Sequence, residues 1–181
     1  EVTLVTLGPL TNVAAALELA PEIATQLRSL VVMGGTSDHR GNITAAAEYN
    51  VWADPEAAAI VFESGAPLTM VGWDISRKYA VITPQDADDL RALGPLGAFS
   101  VDIQRTLIAF CREQTLLDGY DLPDPIATAI ALDAEVATVV HPPHAAVEPL
   151  GATSRGATVA DIVATVRPAD GGVVVAASHD G

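Results

Sequence analysis

Positive charge is the scarcest property of this sequence. Only 9 of 181 residues are Lys or Arg, and Lys78 is the single lysine. These cations are scattered with no basic run, which argues against a nucleic-acid partner, because phosphate-backbone binding rests on clustered Lys and Arg. Cysteine is scarcer still. Cys111 stands alone, which excludes an internal disulfide framework and a cysteine-built zinc site. It falls within TLIAFCREQ, an apolar helical pattern, so a buried structural thiol is expected there rather than a nucleophile. A reducing compartment, the cytoplasm, fits that usage. No apolar run approaches the ~18 residues that span a bilayer, so no membrane partner is expected, and no signal peptide pattern is seen. Neither G-x-G-x-x-G nor G-x-x-x-x-G-K-[ST] occurs, which leaves a generic nucleotide-binding domain without its phosphate cradle. Internal repeats, linkers and low-complexity tracts are also missing.

What the chain has in quantity is acid and apolar bulk. Its 23 Asp and Glu residues give a formal charge of −14. On its own that balance is best read as serving solubility, and it is also compatible with a hard cation held by oxygen ligands. Half of the residues are apolar and 18% are charged, a ratio that excludes disorder. A chain of this length buries roughly 70% of its unfolded surface, enough for one core of ordinary size.

Hydrophobic patterning divides the chain into alternating strands and helices. VTLVTL (2–7), SLVVMGG (29–35) and PLTMVGWD (67–74) read as short, β-branched strands of a sheet buried on both faces. Between them VAAALELA is a helix that Thr11 or Asn12 can cap, Pro21 interrupts it, and EIATQL continues as a short second helix. DPEAAAIVFESG (54–65) is a helix with Asp54 as N-cap, Pro55 at its first position and Gly65 as terminator. The intervals predict an α/β fold with an open, mostly parallel sheet flanked by helices. TPQD (83–86) opens a helix, residues 99–117 carry helical periodicity, and DPIATAIALD (124–133) repeats the Asp-Pro start. Beyond Pro142 and Pro143 three segments read as strands: AAVEPLG, ATVADIVATV and GGVVVAA.

In open α/β sheets ligands bind outside the carboxyl ends of the strands. Three strand ends here carry polar groups, LGPLTN, MGG…GN…EYN and WD, and Asp124 adds a fourth at a helix start. Taken singly each has an ordinary structural reading. GPLTN is a turn with a cap, Asp54 and Asp124 before proline are N-caps, and Glu48 is a solvated loop residue. Residues 36–50 nevertheless form a long polar connection, and such loops in compact domains tend to be functional. Trp52 and Trp73 could stack on a base, but core packing beside the sheet is the expectation for both. Asp74 supports a neighbouring residue or caps a helix.

Together the segments LGPLTNVAAAL, VVMGG, GNITAAAEYN, WADPEAA and LPDPIATAIALD resemble the inosine–uridine-type nucleoside hydrolases. Their order, the spacing of Asn42, Glu48 and Asn50, and the paired Asp-Pro helix starts all match. The resemblance runs from about Val2 to Asp133 and then fades, although TSRGATVAD (153–161) looks like the family's late strand. It implies a single nucleoside-hydrolase-like α/β domain over residues 1–181, incomplete at its N-terminus. It implies a nucleoside N-ribohydrolase of purine and pyrimidine salvage, a calcium-dependent enzyme that hydrolyses the N-glycosidic bond of a ribonucleoside to ribose and free base. A cytoplasmic homo-oligomer is implied as well. By the same resemblance Asp124 is a calcium ligand, and Leu7 supplies a backbone carbonyl to the same ion. Asn42, Glu48 and Asn50 hydrogen-bond ribose hydroxyls, and Met33 lines the ribose pocket. Those residue types suit the chemistry. Calcium takes six to eight oxygens and can accept vicinal hydroxyls, and an oxocarbenium-like state is favoured by fixed carboxylate and amide oxygens.

Two departures from the family pattern stand out. The aspartate cluster of D-x-D-x-G-x-D-D type, which supplies most calcium ligands and the base that activates water, has no counterpart between Glu1 and Gly181. Pro123 stands where many members place a histidine that protonates the leaving base, and proline has no proton to give. His39, Tyr49 and Tyr120 are the candidate donors in its place, while His141 and His144 read as surface turn residues. The 181 residues alone are therefore expected to hold calcium weakly and to lack efficient turnover. The competing reading is a non-catalytic ribose-binding or assembly module of the same ancestry.

Overall fold

The computed structural model describes residues 2–115, 117–137, 140–141, 145–160 and 174–176. By contacts the chain forms two compact units, one of residues 1–75 with 123–181 and one of residues 76–122.

Among the described residues the first unit is built on a five-stranded sheet. Strands β1 (Val2–Thr6), β2 (Leu27–Met33) and β3 (Leu68–Val71) lie parallel in that order, followed by β9 (Val174–Ala176), also parallel, and by β6 (Val140–His141), antiparallel at the edge. The open, mostly parallel sheet read from the sequence is therefore present. Side chains on successive strand residues point to opposite faces. Leu30 and Val32 of β2 and Leu68 and Met70 of β3 join one buried cluster with α1 (Thr11–Leu19) and α4 (Pro55–Phe62). Val31, Met33 and Val71 are buried but stand outside that cluster. Helix α9 (Pro123–Leu132) packs on β1, β2 and β3, with Ala127 and Ile130 buried, also outside it. A helix α2 (Ile23–Gln26) precedes β2, α3 (Tyr49–Ala53) precedes α4, and a hairpin of β7 (Ala145–Glu148) and β8 (Ala157–Ala160) leans on α4 through β7.

Local details correct several expectations. Helix α1 has Leu10 at its N-cap and no side-chain cap bond. Thr11 already lies inside the helix, and its hydroxyl donates instead to the Asp54 carboxylate, tying α1 to the start of α4. Asp54 does cap α4, accepting from the Ala57 amide at 3.1 Å. Asp124, expected as a cap, sits within the first turn of α9, because that helix starts one residue earlier at Pro123. The segment 67–74 gives only a four-residue strand. The chain turns at Gly72 into α5 (Trp73–Tyr79).

The second unit is mainly helical. Thr83 and Asp86 form a reciprocal capping box at the start of α6 (Pro84–Ala92). The helix expected over 99–117 is instead α7 (Pro95–Asp102), α8 (Arg105–Phe110) and a π-helical turn at Cys111–Thr115. Pro95 starts the first piece early, and a turn at residues 103–104 separates it from the second. A small antiparallel pair, β4 (Val81–Ile82) with β5 (Tyr120–Asp121), completes the unit. Cys111 is buried, as a structural thiol should be, and its Sγ lies 3.8 Å from the Asp121 carboxylate.

Several sequence readings fall on residues outside the description. Pro142, Pro143, His144, Asp161 and most of ATVADIVATV and GGVVVAA beyond the strands given above are among them. The backbone of His141 belongs to β6, which replaces the turn expected there. Among the described residues no helix is long and apolar enough to cross a membrane.

Candidate functional site

Because β1, β2 and β3 are parallel and in register, with Thr6 opposite Val32 and Met33 opposite Val71, their carboxyl ends share one edge. Leu7, the Gly34–Gly35–Thr36 turn and Gly72–Asp74 all leave the sheet there. That edge is where an open α/β sheet offers room for a ligand.

Glu48 is the centre of the arrangement. Its side chain is buried, with 3% of the residue exposed, so the solvated-loop reading does not hold. Oε2 accepts the Gly35 amide at 2.9 Å and the Asn50 amide at 3.0 Å. The carboxylate also takes hydrogen bonds from the Val51 amide and the Asn42 side chain. It thereby serves as N-cap of α3. Burial pushes its pKa above the ordinary value, outweighing the four hydrogen bonds, all of which favour the charged form.

Asn50, also buried, donates from Nδ2 to the Met33 carbonyl at 3.1 Å and to Met33 Sδ at 3.2 Å. Its Oδ1 accepts nothing from a described residue. Asn42 stands in the exposed loop, and its Oδ1 accepts the Tyr49 amide at 2.8 Å. Met33, Asn42, Glu48 and Asn50 thus form one connected hydrogen-bonded group.

Leu7 and Asp124 are not drawn into that group. Leu7 follows β1 with its side chain partly exposed. Asp124 is exposed at the start of α9, and its carboxylate has no hydrogen-bond partner among the described residues; partial burial alone raises its pKa. Calcium needs six to eight oxygens, and among the described residues no group of three or more His, Cys, Asp or Glu side chains could hold a metal ion. The residues described do not by themselves fit the ion.

The remaining candidates are dispersed. His39 is exposed with a left-handed φ of 61°. Tyr49 and Trp52 are half-exposed on α3 with ring centroids 6.4 Å apart; Trp52, at 38% exposure, corrects the core packing expected of it. Trp73 is half-buried. Tyr120 is buried in the second unit, where it lines a cavity with Ile82, Val101, Ile108 and Leu117, and burial raises its pKa. Pro123 is the first residue of α9. Asp74 proves to be a support: it accepts the Ser37 amide at 3.0 Å and the Ser37 hydroxyl at 2.6 Å, pinning the loop that leaves β2.

One contributor escaped the sequence reading. Thr158 on β8 accepts the Thr36 amide at 2.8 Å and donates to the Thr36 carbonyl at 2.7 Å. The partners lie 122 residues apart, and no local pattern announces such a contact.

The family model described as "Inosine-uridine preferring nucleoside hydrolase" matches residues 1–180, so the likeness does not fade after Asp133. The "Non-specific ribonucleoside hydrolase RihC" of Shigella boydii serotype 18 is 40% identical over 161 residues, covering 89% of this chain and 51% of that protein. The protein of the same name from Escherichia coli O6:H1 matches with the same figures. The chain spans about half the length of these curated relatives. Among solved structures, "Plant nucleoside hydrolase - PpNRh1 enzyme" superposes with a TM-score of 0.89 at 32% identity, covering 99% of this chain and 58% of the other. The "Purine-Preferring Ribonucleoside Hydrolase from Gardnerella vaginalis" gives 0.85 at 36% identity, over 98% and 56%. The chain belongs to the inosine-uridine preferring nucleoside hydrolase family.

Proposed function

We propose that the protein carrying this chain hydrolyses the N-glycosidic bond of ribonucleosides, releasing ribose and free base. Family membership supports the reaction class. The observation that carries the reading to these residues is the Asn50 Oδ1, an acceptor with no donor among the described residues, on a buried residue that is hydrogen-bonded to Met33 and to Glu48. A ribose hydroxyl arriving at the strand edge would donate to it. Glu48 and Asn42 supply further polar atoms for neighbouring hydroxyls. Holding the sugar by several fixed groups orients its anomeric carbon for attack by water and disfavours unproductive poses. A fixed carboxylate near the ring also favours positive charge developing in the transition state.

The Asp124 carboxylate and the Leu7 carbonyl are proposed as two contributors to a calcium site. No step is drawn through the ion. Pro123 leaves the leaving base without a donor at its position, so protonation falls to another group or to water. A cytoplasmic homo-oligomer acting in nucleoside catabolism completes the proposal.

The test is ribose release by the complete gene product from inosine, uridine and related nucleosides, with calcium or with a chelator. Release that depends on calcium is the expected result. Absence of release together with ribose binding in a calorimeter would favour the non-catalytic ribose-binding module.

A further inference from the structure

Strand β8 reaches the candidate site at two points. Thr158 clamps both polar backbone atoms of Thr36, accepting from its amide and donating to its carbonyl. One residue earlier, Ala157 forms an antiparallel bridge with Ala47, the neighbour of Glu48. The two ends of the loop that carries Asn42 are therefore both fastened to one strand. The hairpin bearing that strand is anchored in turn, because the Arg155 guanidinium grips the Glu56 carboxylate of α4 at 2.6 and 2.8 Å.

Gly35 links this clamp to Glu48. Its own amide donates to Glu48, and the next peptide unit is the one Thr158 holds. Gly35 has φ +73°, and a Cβ there would lie 2.6 Å from Thr158 Cγ2 and 3.1 Å from Met70 Sδ. Only glycine adopts that conformation freely in that space. A glycine between two peptide units is a swivel unless both are held, and here one is held by Glu48 and the other by Thr158.

We propose that Thr158 is a positioning residue for ribose binding. It fixes the Gly35–Thr36 peptide, and through the Gly35 amide it fixes the Glu48 carboxylate. The inference rests on the proposed ribonucleoside hydrolysis at this site. Thr158 and Thr36 are almost fully buried, at 1% and 0% exposure, so water does not replace the hydroxyl, and its loss leaves that peptide held at its carbonyl end alone, where the Gly35 oxygen accepts the Trp73 amide at 2.9 Å.

The test compares Thr158→Val, which keeps the shape and removes the hydroxyl, with Thr158→Ser, which keeps the hydroxyl, in the complete gene product. Losing a buried pair of hydrogen bonds that orders a binding group is expected to raise KM about tenfold, with kcat within about twofold. Thr158→Ser is expected to restore KM to within about threefold of the parent. An unchanged KM in Thr158→Val overturns the proposal, as does an equal rise in both variants. If Thr158→Val does not fold, Thr158→Ala carries the same comparison. Loss of folding in both, with Thr158→Ser native, overturns it because the hydroxyl then serves the fold alone. If the parent binds ribose without turnover, Kd from calorimetry replaces KM. A parent that neither binds ribose nor releases it fails the proposed function and this inference with it, whereas an active parent with an indifferent Thr158→Val fails this inference alone.

Discussion

Glu48 and Asp124 were both put forward as ligand-binding carboxylates, yet they live in opposite surroundings. Glu48 is buried, takes hydrogen bonds from three backbone amides and one side chain, and starts a helix. Asp124 is exposed, has no side-chain partner among the described residues, and sits inside a helix that proline has already begun. A carboxylate of the first kind is held ready before any ligand arrives, and its removal disturbs the fold. One of the second kind contributes little to the fold and matters only when something binds it.

The sharpest way to break this contrast is Glu48→Ala. It strips the acceptor from the Gly35 and Asn50 amides and removes the cap of α3. Two buried donors left unpaired, with a lost cap, are expected to cost about 2–4 kcal/mol in denaturant unfolding. Ribose release should fall to background. A stability loss below about 1 kcal/mol would show that the cluster is not prearranged.

A subtler effect follows from the raised pKa of Glu48, which burial lifts above its ordinary 4.5. A carboxyl whose folded pKa exceeds its unfolded one contributes stability that is fully present below the unfolded value and lost as pH rises through the folded value. Glu48→Gln cannot titrate. Thermal melts from pH 4 to pH 7 should therefore show the parent losing ground to Glu48→Gln as pH climbs past about 4.5, and parallel melts would contradict the burial argument.

The smallest expected effect is that of Asp124→Asn on stability. In chelator its unfolding free energy should stay within about 0.5 kcal/mol of the parent, as for exposed positions without partners. Calcium-dependent ribose release should nevertheless be lost. A fall comparable to that of Glu48→Ala would erase the distinction between the two carboxylates.

What the sequence disclosed and what it hid follow the same division between local and distant causes. Asp54-Pro55 announced its helix because cap and first-turn chemistry are written in adjacent residues. The parallel strands were legible from β-branched runs at βαβ intervals. Asn42, Glu48 and Asn50 are singled out by resemblance, and their spacing of a few residues keeps them together. The burial of Glu48 was not legible, since it depends on Gly35 and the strand edge. The single helix expected over 99–117 failed because apolar periodicity carries on across the turn at residues 103–104. Thr11 looked like a cap but was recruited by Asp54, 43 residues away.

The bond between Thr36 and Thr158 also has a consequence in time. A ribosome adding about 5–20 residues per second needs roughly 6–24 s to pass from one threonine to the other. During that interval the Gly35–Thr36 turn is made but not clasped. Such a long-range contact is slow to form, so the loop bearing Asn42 is among the last pieces of the site to settle. A nascent chain would thus carry Asn42, Glu48 and Asn50 well before the loop around them is clasped.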